Sequence, residues 1–314
     1  MFGNVLVTGG AGFLGSQLVK TLLPTSDHLF IMDNLSAGSL SSIPESNQIT
    51  FYNACITDEN VLDEILPKVD YIFHFACTNL VFSGENIFSD FHTNAVGGFT
   101  LLRKSKELSS QLKRFVYAST AYVYGNAEIL PTPETYYNIK LPYSASKFTV
   151  EHYCDVYFNM YQLPVTTLRF SNVYGPGQQI SNPYCGVIAK FIDAAKNDHS
   201  FEIFGDGKQT GDFTYIEDAM DATILAAVSD VALGEKYNVG SGTETSILQL
   251  AANIKKAAAK DRLGNTFVPD RRGDAVQRRC IHTGKIEREL GWKNRHSLLD
   301  GLAKTYEWRT DHEE

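Results

Sequence analysis

The sequence predicts an α/β protein with a doubly wound parallel sheet, followed by a smaller α/β part at the C-terminus. Short apolar runs alternate with amphipathic helical stretches through the first half of the chain. A glycine-rich turn joins the first apolar run to the first helical stretch. The alternation gives way to turn-rich sequence after about residue 172. Strands that alternate with helices in this way form a parallel sheet covered on both faces.

Six apolar runs have the length of strands, and we expect one strand at each of 4–8, 28–32, 49–53, 71–75, 114–118 and 164–170. Helical apolar spacing predicts helices over 13–23, 58–66, about 86–110 and about 143–161. The first of these should end before Pro24, which cannot continue a helix. We expect one domain over 1–172 and a second over 173–314, with some segments interleaved.

The composition is that of a globular protein, with 43% hydrophobic and 20% charged residues among 314. The net charge of −8 weighs against a nucleic-acid or anionic-membrane surface. No apolar run is long enough for a membrane span, and the N-terminus lacks the pattern of a cleavable leader. The five cysteines are scattered and the eight histidines show no metal-ligand spacing. We therefore expect a cytoplasmic protein with free thiols and no metal site.

The stretch "VTGGAGFLG" places Gly9, Gly12 and Gly15 between the first strand and the first helix. Glycines here allow a tight turn, a close approach of the backbone to a pyrophosphate, and close packing of the helix on the sheet. Asp33 follows Gly15 by 18 residues, at the end of the second strand, where an acid would bind a ribose diol. The pattern predicts dinucleotide binding. Because a carboxylate repels a 2′-phosphate, it favours NAD over NADP.

The stretch "YSASK" puts Tyr143 and Lys147 four residues apart, on one face of a helix. A lysine ammonium near a tyrosine stabilises the phenolate, and a nicotinamide cation does so further. The tyrosine could then act as a general base toward an alcohol. On its own this spacing is also that of an ordinary solvated helix face.

These motifs, in this order with "TNAVGG", "STAYVYG" and "RFSNVYGPG", resemble the extended short-chain dehydrogenase/reductase family and, within it, the NAD-dependent nucleotide-sugar epimerases and dehydratases. The resemblance implies a Rossmann-type domain holding NAD and a C-terminal domain holding a nucleoside-diphosphate sugar. It implies that Tyr143 deprotonates the sugar hydroxyl, with Lys147 in support, while NAD takes hydride from the same carbon. Thr120 matches the residue that binds the same hydroxyl, and Ser119 would lie closer to the cofactor. Capping of the strand end is the alternative role for both hydroxyls.

The resemblance also implies the residues that contact each ligand. The expected cofactor-binding residues are Gly9, Gly12, Phe13, Leu14, Gly15, Asp33, Asn34, Ser36, Gly38, Ile56, Phe75, Ala76, Asn94, Ser119, Tyr143, Lys147 and Phe170. The expected substrate-binding residues are Thr120, Tyr143, Asn172, Phe204, Arg271, Asp274 and Arg278. Strand packing is the alternative role of Phe204, and a surface ion pair that of Arg271 and Asp274.

The residues after Thr120 bear on the reaction. The 4,6-dehydratases of the family carry Asp-Glu there, which move a proton at C5 and expel the 6-hydroxyl, whereas this chain has Ala121 and Tyr122. A 4-epimerase needs no such acids. The stretch therefore favours C4 epimerisation over elimination. Four other residues could supply the missing groups of a dehydratase: Cys77, Tyr122, Glu134 and Cys185.

The chain departs from the family pattern at two binding positions. Gly211 stands where an arginine usually contacts the diphosphate. Candidates to replace it are Arg272, Arg278 and Arg279, and Arg278 lies where an arginine could read a carboxylated sugar. Cys55 stands where an acid usually contacts adenine.

We accordingly predict an NAD-dependent 4-epimerase acting on a UDP-sugar. A dehydratase on the same scaffold and a non-catalytic NAD-binding regulator are the alternatives. The resemblance also implies a homodimer formed through the helices near 86–110 and 143–161.

Overall fold

The computed structural model describes residues 2–178, 186–269 and 277–312. The chain forms two compact units, each assembled from separate segments. The first contains Met1–Val123, Ile139–Arg169 and Met220–Tyr237. The second contains Tyr124–Asn138, Phe170–Ala219 and Asn238–Glu314. Segments of the two units therefore alternate along the chain.

A seven-stranded sheet forms the centre of the first unit, in the order β11-β6-β5-β4-β1-β2-β3. The pairings from β3 to β5 are parallel. The strands are β1 (Phe2–Thr8), β2 (Ser26–Asp33), β3 (Ile49–Asn53), β4 (Tyr71–His74), β5 (Arg114–Thr120), β6 (Val165–Phe170) and β11 (Lys236–Val239). Parallel strands of this kind require helical crossovers, so the predicted α/β fold class is confirmed.

The helices of the first unit follow the strands in alternation. They are α1 (Phe13–Leu22), α2 (Glu59–Ile65), α3 (Leu80–Glu85), α4 (Ile87–Asp90), α5 (Gly97–Leu108), α6 (Pro142–Tyr161) and α8 (Ile216–Val228), the last beginning in the second unit. Pro142 occupies the first turn of α6, where its missing N–H leaves no hydrogen bond unmade. Apolar side chains of α2 and α5 pack with β4 and β5 in one buried cluster that includes Leu62, Leu101 and Phe115.

Polar residues also line up across the middle of the sheet. The strand register places Thr8 beside His74, and His74 beside Tyr117. The Thr8 hydroxyl and His74 Nδ1 are 2.7 Å apart, and the His74 and Tyr117 rings lie 5.6 Å apart. All three residues are buried, and Thr8 and His74 are the last residues of their strands, at the edge where ligands bind in open α/β sheets.

The second unit contains three two-stranded pairings. Strands β7 (Asn172–Tyr174) and β10 (Phe213–Tyr215) are parallel, as are β8 (Phe201–Phe204) and β13 (Asn265–Val268). Strands β9 (Thr210–Gly211) and β12 (Thr245–Ser246) are antiparallel. The remaining helices are α7 (Val187–Lys196), α9 (Ile247–Ala257), α10 (Gly284–Leu290) and α11 (Leu298–Asp311).

The predicted elements differ from the observed ones mainly near residue 90. The helix expected over about 86–110 consists of α4, a π-helical segment over Phe91–Val96, and α5. A π-turn inserts one residue into the helical ladder and changes which side chains face inward. Here Asn94 is buried inside the segment.

Within the described ranges, none of the helices has both the length and the apolar character needed to cross a bilayer. The same residues contain no group of three or more His, Cys, Asp or Glu arranged to hold a metal ion.

Candidate active site

The turn between β1 and α1 leaves no room for a side chain at Gly9 or Gly15. Gly9 has φ +70°, a conformation that favours glycine. A Cβ on Gly15 would lie 2.1 Å from the Gly9 carbonyl oxygen, and one on Gly38 would lie 2.6 Å from the Ala11 carbonyl. The loop that follows β2 therefore lies directly against the turn.

Asp33 fixes this arrangement from the end of β2. One carboxylate oxygen accepts the Ala11 N–H at 3.0 Å and the other accepts the Leu35 N–H at 2.8 Å. The backbone N–H of Ser36 donates to the Asn34 side chain at 3.1 Å. Asp33 thus joins the glycine turn to its own loop and keeps lone pairs for a further donor.

The N-terminus of α1 suits a dinucleotide pyrophosphate. Its N-cap is Gly12, no described side chain caps it, and its first turn contains no acidic residue. The N–H groups of Phe13 and Leu14 belong to this first turn, where helices leave backbone donors without intrahelical partners. The glycine cradle, the free helix end and the nearby carboxylate therefore fit NAD.

The other predicted cofactor residues of the first unit lie at neighbouring strand ends. Ile56 is buried after β3, and Phe75 and Ala76 follow β4, where the Ala76 N–H donates to Thr8 Oγ1 at 3.4 Å. Cys55, where an acid was expected, accepts a hydrogen bond from Thr57 at 3.2 Å. No charged side chain therefore stands at position 55.

Tyr143 and Lys147 share the inner face of α6. Lys147 is buried, and its Nζ lies 4.8 Å from the centre of the Tyr117 ring. Tyr143 is partly buried, and Cys77 lies close enough to its phenol to influence the phenol pKa. The Tyr122 ring meets it edge-on, with ring centres 6.3 Å apart and planes at 78°. The structure thus brings the predicted catalytic pair together beside the stretch that follows β5.

Burial dominates the electrostatics of this pair. It raises the pKa of the Tyr143 phenol well above its ordinary value, and the neighbouring Cys77 raises it further. Burial also lowers the pKa of the Lys147 ammonium, against the opposing influence of Cys77, Glu151 and Asp90. Without a further positive charge the Tyr143 phenol is therefore protonated at neutral pH.

Ser119 and Thr120 form the end of β5 and both are buried. Thr120 Oγ1 accepts the backbone N–H of Tyr122 at 3.2 Å. Ser119 Oγ donates to Glu151, which Arg169 holds by an ion pair of 2.6 Å. The Thr120 bond is the strand-end capping expected if this residue had no catalytic role. Ser119 instead forms its hydrogen bond with a residue of α6.

Asn94 connects the loop after β4 to α6. Its Oδ1 accepts the Thr78 N–H at 2.7 Å, and its Nδ2 donates to Asp90 at 2.7 Å and to Ser146 at 3.2 Å. Asp90 also accepts from the Ser146 hydroxyl at 3.1 Å. The Asn94 side chain is thus bonded within the protein, and its role toward a cofactor stays a prediction.

The four candidates for the missing acid and base of a dehydratase have different surroundings. The Tyr122 ring packs edge-on against Tyr143, and Cys77 lies close enough to influence its pKa. Glu134 belongs to the second unit, where it accepts the Asn238 N–H at 3.0 Å. Cys185 lies outside the described residues. Of the described carboxyl and thiol candidates, Cys77 and Glu134, Cys77 is the one that influences the pKa of Tyr143.

Several predicted substrate-binding residues belong to the second unit. Asn172 Nδ2 donates to the Asp212 carbonyl at 3.2 Å, and Phe204 ends β8. Phe170, predicted to contact the cofactor, is buried where this unit resumes. Arg271 and Asp274, together with Arg272, lie outside the described residues.

The second unit also shows what stands in place of the missing arginine. A Cβ on Gly211 would lie 2.8 Å from the Phe213 ring and 3.1 Å from Asn172 Nδ2, so a larger side chain does not fit. Arg278 forms a two-bond ion pair with Glu244, each bond 2.7 Å. Arg279 is buried, and its N–H donates to Thr210 at 3.2 Å. A diphosphate contact from Arg272, Arg278 or Arg279 therefore stays a prediction.

Reasoning from the sequence missed the buried residues that support the site. These are His74, Asp90, Ser146, Glu151 and Arg169. The spacing of Glu151, four residues after Lys147, was one available signal, because it continues the same helix face. The others are brought to the site only by tertiary folding.

The model of the NAD dependent epimerase/dehydratase family matches residues 5–240. The chain belongs to this family. NAD is its cofactor, in agreement with the cradle formed by the glycine turn, α1 and Asp33.

Relatives within the family carry out both reactions considered above. The UDP-glucose 4-epimerase of Mycolicibacterium smegmatis is 35% identical over 314 residues, covering 97% of this chain and 98% of the relative. The dTDP-glucose 4,6-dehydratase of Haemophilus influenzae is 31% identical over 334 residues, covering 97% of each chain. The solved structure of UDP-glucose 4-epimerase with UDP-glucose from Thermotoga maritima is 33% identical, with a TM-score of 0.90, and covers 97% of this chain and 98% of its own.

Proposed function

We propose that the protein is an NAD-dependent nucleotide-sugar 4-epimerase that acts on a UDP-sugar. The observation that carries the proposal is the surrounding of Tyr143. The two positions after Thr120, where a dehydratase would hold its acids, are the buried methyl group of Ala121 and the ring of Tyr122. Neither side chain can act as a carboxylic acid or a carboxylate.

One carboxylate does act electrostatically on Tyr143, namely Asp90, but it is committed to other partners. Asp90 is 1% exposed. Its Oδ1 accepts hydrogen bonds from the hydroxyls of Ser83 and Ser146 and from the amide of Asn94. A carboxylate held by three protein donors is poorly placed to move a proton on a sugar carbon, which favours epimerisation.

In the proposed reaction Tyr143 takes the proton of the sugar 4-hydroxyl. It returns the proton after the keto sugar has rotated in the site and hydride has been added to its other face. Bound NAD would supply the hydride acceptor and donor and a positive charge that lowers the pKa of the nearby phenol. Lys147, buried on the inner face of α6, adds positive charge on the helix face that carries Tyr143. Thr120 holds the sugar hydroxyl in reach of Tyr143.

A dehydratase is the second candidate, and two observations favour it. The relative from Haemophilus influenzae is named a dTDP-glucose 4,6-dehydratase. The thiol of Cys77 lies near the Tyr143 phenol and is exposed, so it could exchange a proton with a bound sugar. A third candidate, an NAD-binding regulator without activity, is disfavoured because Tyr143 and Lys147 share one helix face.

Residues of the second unit would hold the nucleotide. We propose contacts from Asn172 and Phe204, and from Arg271 and Asp274 outside the described residues. Arg278 would have to exchange Glu244 for the substrate in order to contribute. We further propose that the protein works in the cytoplasm as a homodimer.

The test is a panel of UDP- and dTDP-sugars, with the product of each read by NMR. The proposal predicts a product that differs from one UDP-sugar only in configuration at C4. A 4-keto-6-deoxy product would establish the dehydratase instead. If no nucleotide sugar in the panel reacts while NAD binds, the regulator is supported.

A further inference from the structure

A buried ion pair lies behind the end of β5, and the proposed reaction does not use it. Glu151 follows Lys147 by one helical turn and Tyr143 by two, so the three residues share one face of α6. The Glu151 side chain is 1% exposed and that of Arg169, on β6, is 3% exposed. Two charges buried this deeply cost more to desolvate than an apolar pair of the same size. Their presence therefore calls for a role beyond stability.

Arg169 holds the Glu151 carboxylate by a fork of hydrogen bonds. Its Nε lies 3.0 Å from Oε1 and 3.1 Å from Oε2, and its Nη2 lies 2.6 Å from Oε2. This is the bidentate geometry in which guanidinium binds an ionised carboxylate. An ionised carboxylate only accepts hydrogen bonds.

Ser119 is the third member of this cluster. Its hydroxyl donates to Glu151 Oε1. A serine hydroxyl has one proton and two lone pairs. Because the proton is given to Glu151, Ser119 retains only lone pairs, and it can meet any other group only as an acceptor.

Ser119 also lies in the row of side chains that faces the predicted catalytic helix. Side chains alternate along a strand, so Tyr117 and Ser119 point to the same side of β5. Tyr117 donates its hydroxyl to the Lys147 carbonyl at 3.2 Å and lies under the Lys147 ammonium. Ser119 is the next residue in that row toward the carboxyl end of the strand.

We propose that Glu151 is a positioning residue that makes Ser119 an acceptor, and that Ser119 thereby binds the carboxamide N–H of the nicotinamide ring. The proposal rests on the proposed function, which places the cofactor beside the end of β5. The sugar 4-hydroxyl gives its only proton to Tyr143 in the proposed reaction, so it has no donor left for a partner that only accepts. A carboxamide presents an N–H on one side and a carbonyl on the other, and Ser119 would select the first.

The test compares the binding of NAD with that of an analogue in which an acetyl group replaces the carboxamide. The analogue keeps the carbonyl and lacks the N–H. Ser119→Ala leaves the Glu151–Arg169 pair intact and should weaken NAD binding about tenfold while leaving the affinity for the analogue unchanged. Binding is measured by calorimetry on protein freed of cofactor, so the result does not depend on which sugar reacts.

Glu151→Gln tests the positioning role, because its amide N–H can donate to Ser119 and release the hydroxyl proton. It should reduce the preference for NAD over the analogue by the same factor as Ser119→Ala, and the double variant should show no further loss. Asp155→Asn is the matched control, since Asp155 pairs with Lys236 at 2.5 Å one turn further along α6 and does not touch Ser119. This control should keep the full preference.

The proposal is overturned if Ser119→Ala weakens NAD and the analogue equally, or weakens neither. It is also overturned if folded Glu151→Gln protein keeps the preference of the Asp155→Asn control. Should Glu151→Gln fail to fold, Ser119→Ala still decides. A protein that binds NAD as predicted but turns over no nucleotide sugar would contradict the proposed function and leave this inference supported.

Discussion

Tyr143 and Lys147 show how strongly a folded environment changes two ordinary side chains. Burial raises the pKa of the phenol and lowers the pKa of the ammonium, because it disfavours the charged form of each side chain. Positive charge supplied by the oxidised cofactor would oppose this for Tyr143. The pair is therefore expected to act only when the cofactor is bound.

Replacement of Tyr143 by Phe removes the proposed base and little else. We expect Tyr143→Phe to lower kcat by at least about a thousandfold, because general acid–base catalysis contributes factors of this order. The affinity for NAD, measured by calorimetry, should change less than about threefold, the loss of one weak contact. Tyr153→Phe is the control, since Tyr153 lies on the same helix with its side chain 40% exposed. Equal losses in both variants would contradict the role of Tyr143.

His74 gives a prediction for the pH dependence of stability. Burial and the charge of Lys147 lower its pKa from 6.5 to about 3. Between these values the unfolded chain binds one more proton than the folded protein, so the free energy of unfolding should fall as the pH falls. The contribution is about 1.4 kcal/mol per pH unit below pH 6.5.

Urea unfolding between pH 4 and 8 measures this slope. His74→Asn keeps a polar partner for Thr8 and removes the titrating group. The variant should lose about 1.4 kcal/mol per pH unit of the slope below pH 6.5. Identical slopes in the variant and the wild type would show that His74 titrates normally in the folded protein.

At the scale of single residues, local patterns were predictable and long-range networks were not. The glycines and the spacing of Tyr143 and Lys147 are visible in a few consecutive residues. The hydrogen bonds of Asp90 to Ser83 and Ser146 join three segments of the chain, and no spacing in the sequence indicates them. The same holds for Glu151, whose partner Arg169 lies on another element.

Among the elements, β1, the glycine turn and α1 form the unit that the sequence predicted best. The strand was expected over 4–8 and spans Phe2–Thr8, and the helix was expected over 13–23 and spans Phe13–Leu22. A strong apolar pattern and a glycine spacing typical of a dinucleotide-binding turn make such a unit predictable from the sequence. The π-helical segment over Phe91–Val96 was not, because its apolar pattern is that of an ordinary helix.

A methyl group on Gly15 tests the close packing of this unit. It would lie 2.1 Å from the Gly9 carbonyl oxygen, a backbone atom that cannot move aside easily. We expect Gly15→Ala to destabilise the protein by about 3 kcal/mol and to weaken NAD binding. Gly84→Ala is the matched control, because nothing lies within 4 Å of a Cβ there. Its effect should stay within about 1 kcal/mol, the difference in helix propensity.

Denaturant unfolding and NAD titration of the two variants give the comparison. A Gly15→Ala protein as stable as Gly84→Ala would show that the turn can open without cost, contrary to the packing described here.

For the whole molecule, exposed apolar side chains point to an association surface. Phe88 is 78% exposed, Phe91 55% and Met160 67%, on α4, the π-helical segment and α6, which pack against one another. Apolar side chains left exposed along packed helices commonly mark contacts with other chains. This is the region through which a homodimer was expected.

A charge placed in this region should prevent the association. We expect the wild type to sediment at twice the chain mass of 34.9 kDa and Met160→Glu to sediment as a monomer. Val231→Glu, at an apolar side chain that is 58% exposed elsewhere in the first unit, should remain a dimer. A monomeric wild type would contradict the proposed dimer.

The family and the cofactor follow from features that span the chain, whereas the reaction depends on a few residues around Tyr143. Ala121 and Tyr122 replace the acids that elimination would need, and Asp90 is bound by protein donors. Epimerisation and elimination share the first step and differ in whether a carbon-bound proton exchanges with water. Solvent exchange is therefore the property that separates them.

The most direct test runs the reaction in heavy water with the UDP-sugar that the panel identifies. A 4-epimerase should give the C4 epimer with no solvent deuterium on any sugar carbon, as read by NMR and mass spectrometry. Solvent deuterium on a carbon of the product sugar, or a product that has lost water, would contradict it.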